Sequence, residues 1–294
     1  MKIAMTLPGM DPGLDRKRLV EWTSRIEDGP FDTLAFGERM AFFNPELIAL
    51  FGACAVLTER VTLRSTVTVM PMHHPVMLAK QLATLDVLSE GRLSVGLGIG
   101  GREEDLLAVG ADMERRTNAS LARDVDTMRR VWRGEDVVGG LLRPVEPRPI
   151  QAAGPELLAG AMGPRAIRLA SAWAAGLCGF TWAATTEEIA PTFEWARQAW
   201  SEAGRGTPKL ITGFWFALGE GARAQMSSHL GSYMNWLAPA EREAAQRSAG
   251  FTGDASALRD LLRRIEDLGT DEVHLVPTSG DPDEVSRAAD AIGI

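Results

Sequence analysis

"GRLSVGLGIGGREED" (91–105) decides the fold. Gly96, Gly98 and Gly101 spell G-x-G-x-x-G, the dinucleotide fingerprint in which a glycine turn brings a pyrophosphate to a helix start. That fingerprint normally closes the first strand of a βαβ unit and is followed about 20 residues on by an acidic strand end. Here it closes a fourth strand, and the region that should hold the acidic residue, "TNASLARDVD" (117–126), is helical and polar. Working outward, short apolar strands alternate with helices. "KIAMTL" (2–7), "FDTLAF" (31–36), "VTLRSTVTVM" (61–70) and "LSVGLGI" (93–99) are the first four strands. A helix follows from Asp15; a second spans 44–59, with Asn44 as N-cap and Pro45 opening it; a third runs from Pro75 to Gly91. This alternation predicts a parallel sheet.

The second half continues the count. The segment 103–133 is expected to be helical, and a Pro- and Gly-rich surface loop covers 139–155. "ELLAGAM" (156–162), "AGLCGF" (175–180), "KLITGFWFAL" (209–218) and "DEVHLVP" (271–277) are four further strands, with helices at 164–173, 186–204, 254–268 and 281–292 and an extra helical stretch at 220–249. Eight strands, each followed by a helix, make an α/β (β/α)8 TIM barrel with extra helical insertions after strands four and seven, in one domain spanning 1–294. A doubly wound sheet is the alternative. In a barrel, Gly96 and Gly98 alternate on a strand where neighbours crowd. Gly100 and Gly101 lie past the strand end, where bare backbone admits a ligand.

Bulk properties narrow the function. The 294 residues are 45% hydrophobic and 24% charged, an ordinary balance for a globular chain with a full core. The net charge of −8 argues against nucleic acid as the main partner. No apolar run has membrane length, and the N-terminus reads as a strand rather than a signal peptide, so the expected location is the cytoplasm. Cys54 and Cys178, in "FGACAV" and "GLCGF", are expected to be buried free thiols, and the four histidines lack metal-ligand spacing.

The stretch "HPVMLAKQLATLDVLSEGRLSVGLGIGGREEDLLAVGAD" (74–112) closely resembles the luciferase-like monooxygenase superfamily, which includes the F420-dependent oxidoreductases. The segments at 31–71 and 250–277 extend the likeness over nearly the whole chain. The resemblance implies a barrel that binds F420, or alternatively FMN, at the C-terminal ends of its strands. It implies a cis peptide at Thr66–Val67, in a third-strand bulge that backs the cofactor ring. It also implies that Gly98, Ile99, Gly100 and Gly101 flank the ring and that Gly160, Ala161, Met162, Gly163 and Pro164, in "AGAMGPRA" (159–166), hold the phosphate or tail. Physics agrees with that last assignment: Gly160 and Gly163 expose N–H groups, and Pro164 starts a helix whose positive end faces an anion, with Arg165 to add charge.

The departures concern proton handling. Many relatives have Asp-His or Glu-His after strand two; this chain has Glu38-Arg39, which puts an always-charged guanidinium where an acid–base histidine would stand. Gly101 occupies the place of a glutamate used in one F420 branch, with Glu103 and Glu104 just beyond it, and the strand-six Asp-Gly is Ala175-Gly176. Glu38 and His74 are the leading catalytic candidates, with His73 beside them; as ordinary loop residues, one histidine would pack at the helix start and the other face solvent. The expected activity is hydride transfer between F420 and a small organic substrate. The alternatives are an FMN-dependent monooxygenase fed by a separate reductase, and a flavin-binding protein without catalysis. The apolar "LIALFGACAVL" (47–57) fits a homodimer face or a core-facing helix equally.

Overall fold

The computed structural model describes residues 1–293. Strand β1 (Lys2–Thr6) leads through α1 (Arg16–Asp28) to β2 (Thr33–Phe36), α2 (Leu47–Leu57), β3 (Thr62–Val69), α3 (Pro75–Leu88) and β4 (Leu93–Gly98). After β4 come α4 (Glu103–Ala108) and α5 (Asn118–Trp132), then β5 (Glu156–Ala159), α6 (Pro164–Ala170), β6 (Gly176–Cys178), α7 (Thr186–Glu202) and β7 (Lys209–Leu218). Helices α8 (Ala222–Tyr233) and α9 (Pro239–Ser248) follow, then β8 (Phe251–Gly253), α10 (Ala255–Glu266), β9 (Glu272–Pro277) and α11 (Asp283–Ile292).

Every ladder is parallel, and pairing of β1 with β9, β9 with β7 and β7 with β6 closes a ring of eight strands: the TIM barrel. The strand read as the eighth is therefore β9. The short β8, unforeseen in the sequence, pairs only with the end of β7 and lies outside the ring. Strands alternate between the barrel interior and the helix layer. Met5, Leu34, Leu63 and Leu275 pack outward with Trp22, Phe51 and Phe193 into one core.

Three of the helix expectations are corrected by a clear local cause. The helix placed at 44–59 begins at Leu47, with the Glu46 carboxylate accepting from the Ala49 N–H at 2.6 Å. Asn44 does not cap it, because its amide donates to the Gly37 carbonyl at 2.9 Å and ties the loop after β2 back to that strand. The stretch 103–133 is two helices rather than one, broken where Gly110 takes a positive φ of 64°. The stretch 220–249 likewise divides before Pro239, which opens α9.

Candidate functional site

The C-terminal strand ends surround a cavity of about 860 Å³, roofed by α8. A barrel puts its chemistry on this face. The β3 side of the cavity is built around a break in the sheet. Pairing with β4 runs Ser65↔Val95 and then jumps to Thr68↔Leu97, a bulge at Thr66 and Val67. The peptide between those two residues is cis. The Val67 side chain fills a recess that only glycines leave open. A Cβ on Gly98 would fall 2.9 Å from a Val67 methyl, and one on Gly160 would fall 2.8 Å from the other. Gly96 is tighter still, at 2.5 Å from the Ser65 carbonyl oxygen. So Gly96 and Gly98 of the opening stretch serve the bulge, with the crowding expected for both. Gly100 has φ +79° and leaves room for Val69, while Gly101 is exposed and open.

The bulge is stitched to β2 by Glu38. Its N–H donates to the Val67 carbonyl at 3.2 Å, and its Oε2 accepts from the Val69 N–H at 2.6 Å. Its Oε1 lies 2.9 Å from His73 Nε2, whose N–H donates to it. Glu38 lines the cavity and is buried, but both carboxylate oxygens are engaged. His73 reaches it from behind. His74 is exposed at the start of α3 and does not line the cavity. Arg39 pairs with Asp105 at 2.5 Å and Glu104 at 2.8 Å, while the other Asp105 oxygen accepts from the N–H groups of Met40 and Ala41.

Of the residues expected to hold a cofactor, Thr66, Val67, Gly98, Ile99, Gly100, Gly101, Gly160, Ala161 and Met162 line the cavity. Gly163 and Pro164 do not line it, because they begin the turn into α6 just past its edge. Arg165 is exposed.

The model of one family, described as luciferase-like monooxygenase, matches residues 4–292. The chain belongs to that family. A relative, 4-hydroxyprotoasukamycin monooxygenase of Streptomyces nodosus subsp. asukaensis, is 30% identical over 188 residues, which are 58% of this chain and 49% of that one. An F420-dependent glucose-6-phosphate dehydrogenase of Intrasporangium calvum is 32% identical over 168 residues, 49% of this chain and 50% of that one. The alignments with these two relatives thus span about half of their length. Among solved structures, the coenzyme F420-dependent tetrahydromethanopterin reductase of Methanopyrus kandleri superposes with a TM-score of 0.79 at 15% identity, covering 99% of this chain and 98% of that one. At that identity the likeness is one of fold.

Within this luciferase-like site, several groups escaped sequence reasoning. Trp215 on β7, with His229 and Tyr233 on α8, converges with Phe180 and Trp182 on the side of the cavity facing away from the bulge. Tyr233 is the sole tyrosine of the chain, a weak signal that was available. Below the cavity, Arg64 is ion-paired with Glu272 inside the barrel, and His274, which lines the cavity, has its Nε2 3.4 Å from Glu272 Oε1. Burial alone would raise the Glu272 pKa, but His274 and Arg64 outweigh it and hold the carboxyl well below its usual range. Burial lowers the His274 pKa despite Glu272, and it pushes the Cys178 thiol up to about 12. Both cysteines are free and buried. Among the described residues no cluster of three His, Cys, Asp or Glu side chains is placed to hold a metal, and no helix is long and apolar enough to cross a membrane.

Proposed function

We propose that the chain is an F420-dependent oxidoreductase that moves a hydride between the deazaflavin and a small organic substrate. The observation that carries this is the bulge at Thr66–Val67, seated on Gly96, Gly98 and Gly160 at the floor of the 860 Å³ cavity. A flat ring needs a firm, side-chain-poor surface, and this wall supplies one. The residues present fit such a group: the glycine backbone leaves an open face at Gly101, and the buried polar atoms Thr6 Oγ1 and Asn44 Oδ1, on residues lining the cavity, have no partner within the protein. Buried polar groups are normally paired, so unpaired ones around a cavity point to a ligand. When bound, reduced F420 would supply the hydride. The chain's own residues do the rest. Val67 and Gly98–Gly101 would support the ring, Gly160–Met162 would lie along the tail, and Glu38 holds the bulge in register.

The F420 reading is supported by the compact chain, by the "AMGP" turn (161–164) and by the F420-dependent dehydrogenase relative of Intrasporangium calvum. An FMN-dependent monooxygenase fed by a separate reductase is the second reading, favoured by the named monooxygenase relative. Titration of the purified protein with F420 and with FMN, followed by cofactor fluorescence, separates them. Micromolar or tighter binding of F420 with weaker FMN binding is expected, which corresponds to about −8 kcal/mol. Preferential binding of FMN, with reductase-coupled O₂ consumption, would replace the first reading by the second. We also place a homodimer interface on α2 and α3, where Val56, Leu57, Val87 and Leu88 are exposed; a monomer by light scattering would remove it.

A further inference from the structure

The two walls of the cavity differ in chemistry. The β3–β5 wall presents backbone, glycine and Val67. The β6–β7 wall, closed by α8, presents rings. Trp215 lies at its centre, with ring centroids of Phe180, Trp182 and Tyr233 at 4.6, 5.4 and 5.5 Å and interplanar angles of 70°, 72° and 67°. The His229 ring lies 6.2 Å from Trp215 and is nearly parallel to Tyr233. All of these side chains line the cavity. Two carry polar atoms that are buried and have no partner: Trp215 Nε1 and His229 Nε2. A buried tryptophan N–H usually finds an acceptor.

The carboxylates around the cavity are already committed. Glu38 and Asp105 are engaged as described, and Asp11 accepts from the Gly13 N–H at 2.7 Å and pairs with Arg18 at 3.4 Å. Arg39 is paired. Arg102 lines the cavity without a carboxylate partner among the described residues, and its guanidinium is held between rings, 3.6 Å from the Trp236 centroid and 5.4 Å from that of Tyr233.

We propose that the aromatic wall is the substrate site, and that it takes an uncharged, planar aromatic molecule bearing a carbonyl oxygen, which Trp215 and His229 read by hydrogen bonding. This rests on the reading of the opposite wall as the cofactor's. The tilted rings around Trp215 offer edges and faces to a flat π-system. An indole N–H only donates, so the substrate atom it meets must be an acceptor. Burial lowers the His229 pKa to about 4, so at neutral pH the imidazole is uncharged and presents a nitrogen without repelling or recruiting an ion.

The test is calorimetric binding of four probes to the full chain, with and without F420: acetophenone, cyclohexyl methyl ketone, ethylbenzene and benzoate. Acetophenone should bind about fivefold tighter than the saturated ketone, since the aromatic contact is lost in the latter. It should bind about tenfold tighter than ethylbenzene, which lacks the acceptor. Trp215→Phe, which keeps an aromatic ring and removes the N–H, should cost acetophenone about tenfold and ethylbenzene no more than about twofold. His229→Phe should weaken acetophenone alone in the same way, and it serves if Trp215→Phe does not fold. Equal binding of the two ketones, no loss in either variant, tighter binding of benzoate than acetophenone, or no binding of any probe would overturn the proposal. A protein that binds neither F420 nor FMN but keeps the acetophenone pattern loses the proposed function and retains this site.

Discussion

Both carboxylate oxygens of Glu38 are engaged within the protein, one by the Val69 N–H and the other by His73, and we propose that the residue positions the bulge rather than passing a proton. Glu38→Gln keeps one acceptor but loses the charge-assisted bond to the backbone. We expect a loss of ~1–2 kcal/mol in stability, read from the urea midpoint, and about tenfold lower turnover with an unchanged pH profile. A new or missing ionisation in that profile would restore Glu38 to acid–base work. Gly100→Val is the second test at this scale. Its Cβ would fall 2.7 Å from a Val69 methyl, and φ +79° is a conformation that a branched residue resists. Cofactor affinity should fall at least about tenfold, because the strand end must shift; wild-type affinity by fluorescence titration would show that this turn does not touch the cofactor site. These glycines were legible in the sequence because spacing alone marked them, although the reason for Gly98 was Val67 beneath it. Trp215 and His229 were not legible. They stand on β7 and α8, no local pattern links them, and only the closed barrel with its α8 roof brings their rings to one wall.

Among the elements, α4 has a role beyond its length of 6 residues. Asp105, 3% exposed, holds Arg39 and the N–H groups of Met40 and Ala41, so it fixes the loop after β2 against the strand-four turn. Asp105→Asn removes the charge that Arg39 needs and should destabilise by ~3 kcal/mol, as breaking a buried pair does. Amide hydrogen exchange at Met40 and Ala41 should accelerate with it; unchanged protection at both would mean the loop is held elsewhere. The substitution Glu38-Arg39 for the relatives' acidic-histidine pair thus has a structural partner, and the sequence showed the departure without showing what received the arginine. Helix boundaries were readable where a proline or a side-chain cap is local, as with Pro75 in α3 and Asp15 in α1. They were misread where a tertiary bond competes. Asn44 looks like a cap by type, but the Gly37 carbonyl claims its amide.

For the whole molecule, the eight-strand count and the parallel pairing follow from periodicity, which is why the barrel was legible from 294 residues. The short β8 was not, since 3 residues on the end of β7 carry no period. The buried ionisable groups set a pH dependence with a definite sign. Well above pH 6.5 His229 is neutral in both folded and unfolded chains and contributes no slope. Below that, the unfolded chain takes up a proton that the folded one holds off until about pH 4, so stability falls across that window. Buried His274, also lowered, acts in the same direction, and Glu272, held low by His274 and Arg64, adds a loss as pH drops below its ordinary value of 4.5. The melting temperature should therefore decline steadily from pH 6.5 to pH 4, and His229→Phe should flatten the upper part of that decline; a flat profile for the parent protein would contradict it. The central claim, that the bulge wall carries a deazaflavin or flavin and the ring-lined wall its substrate, is tested most directly by a crystal structure of the protein soaked with F420. The account predicts ring density over Thr66–Val67, between the Gly98–Gly101 turn and Trp215. Density anywhere else on the chain, or an empty cavity in crystals saturated with both F420 and FMN, would contradict it.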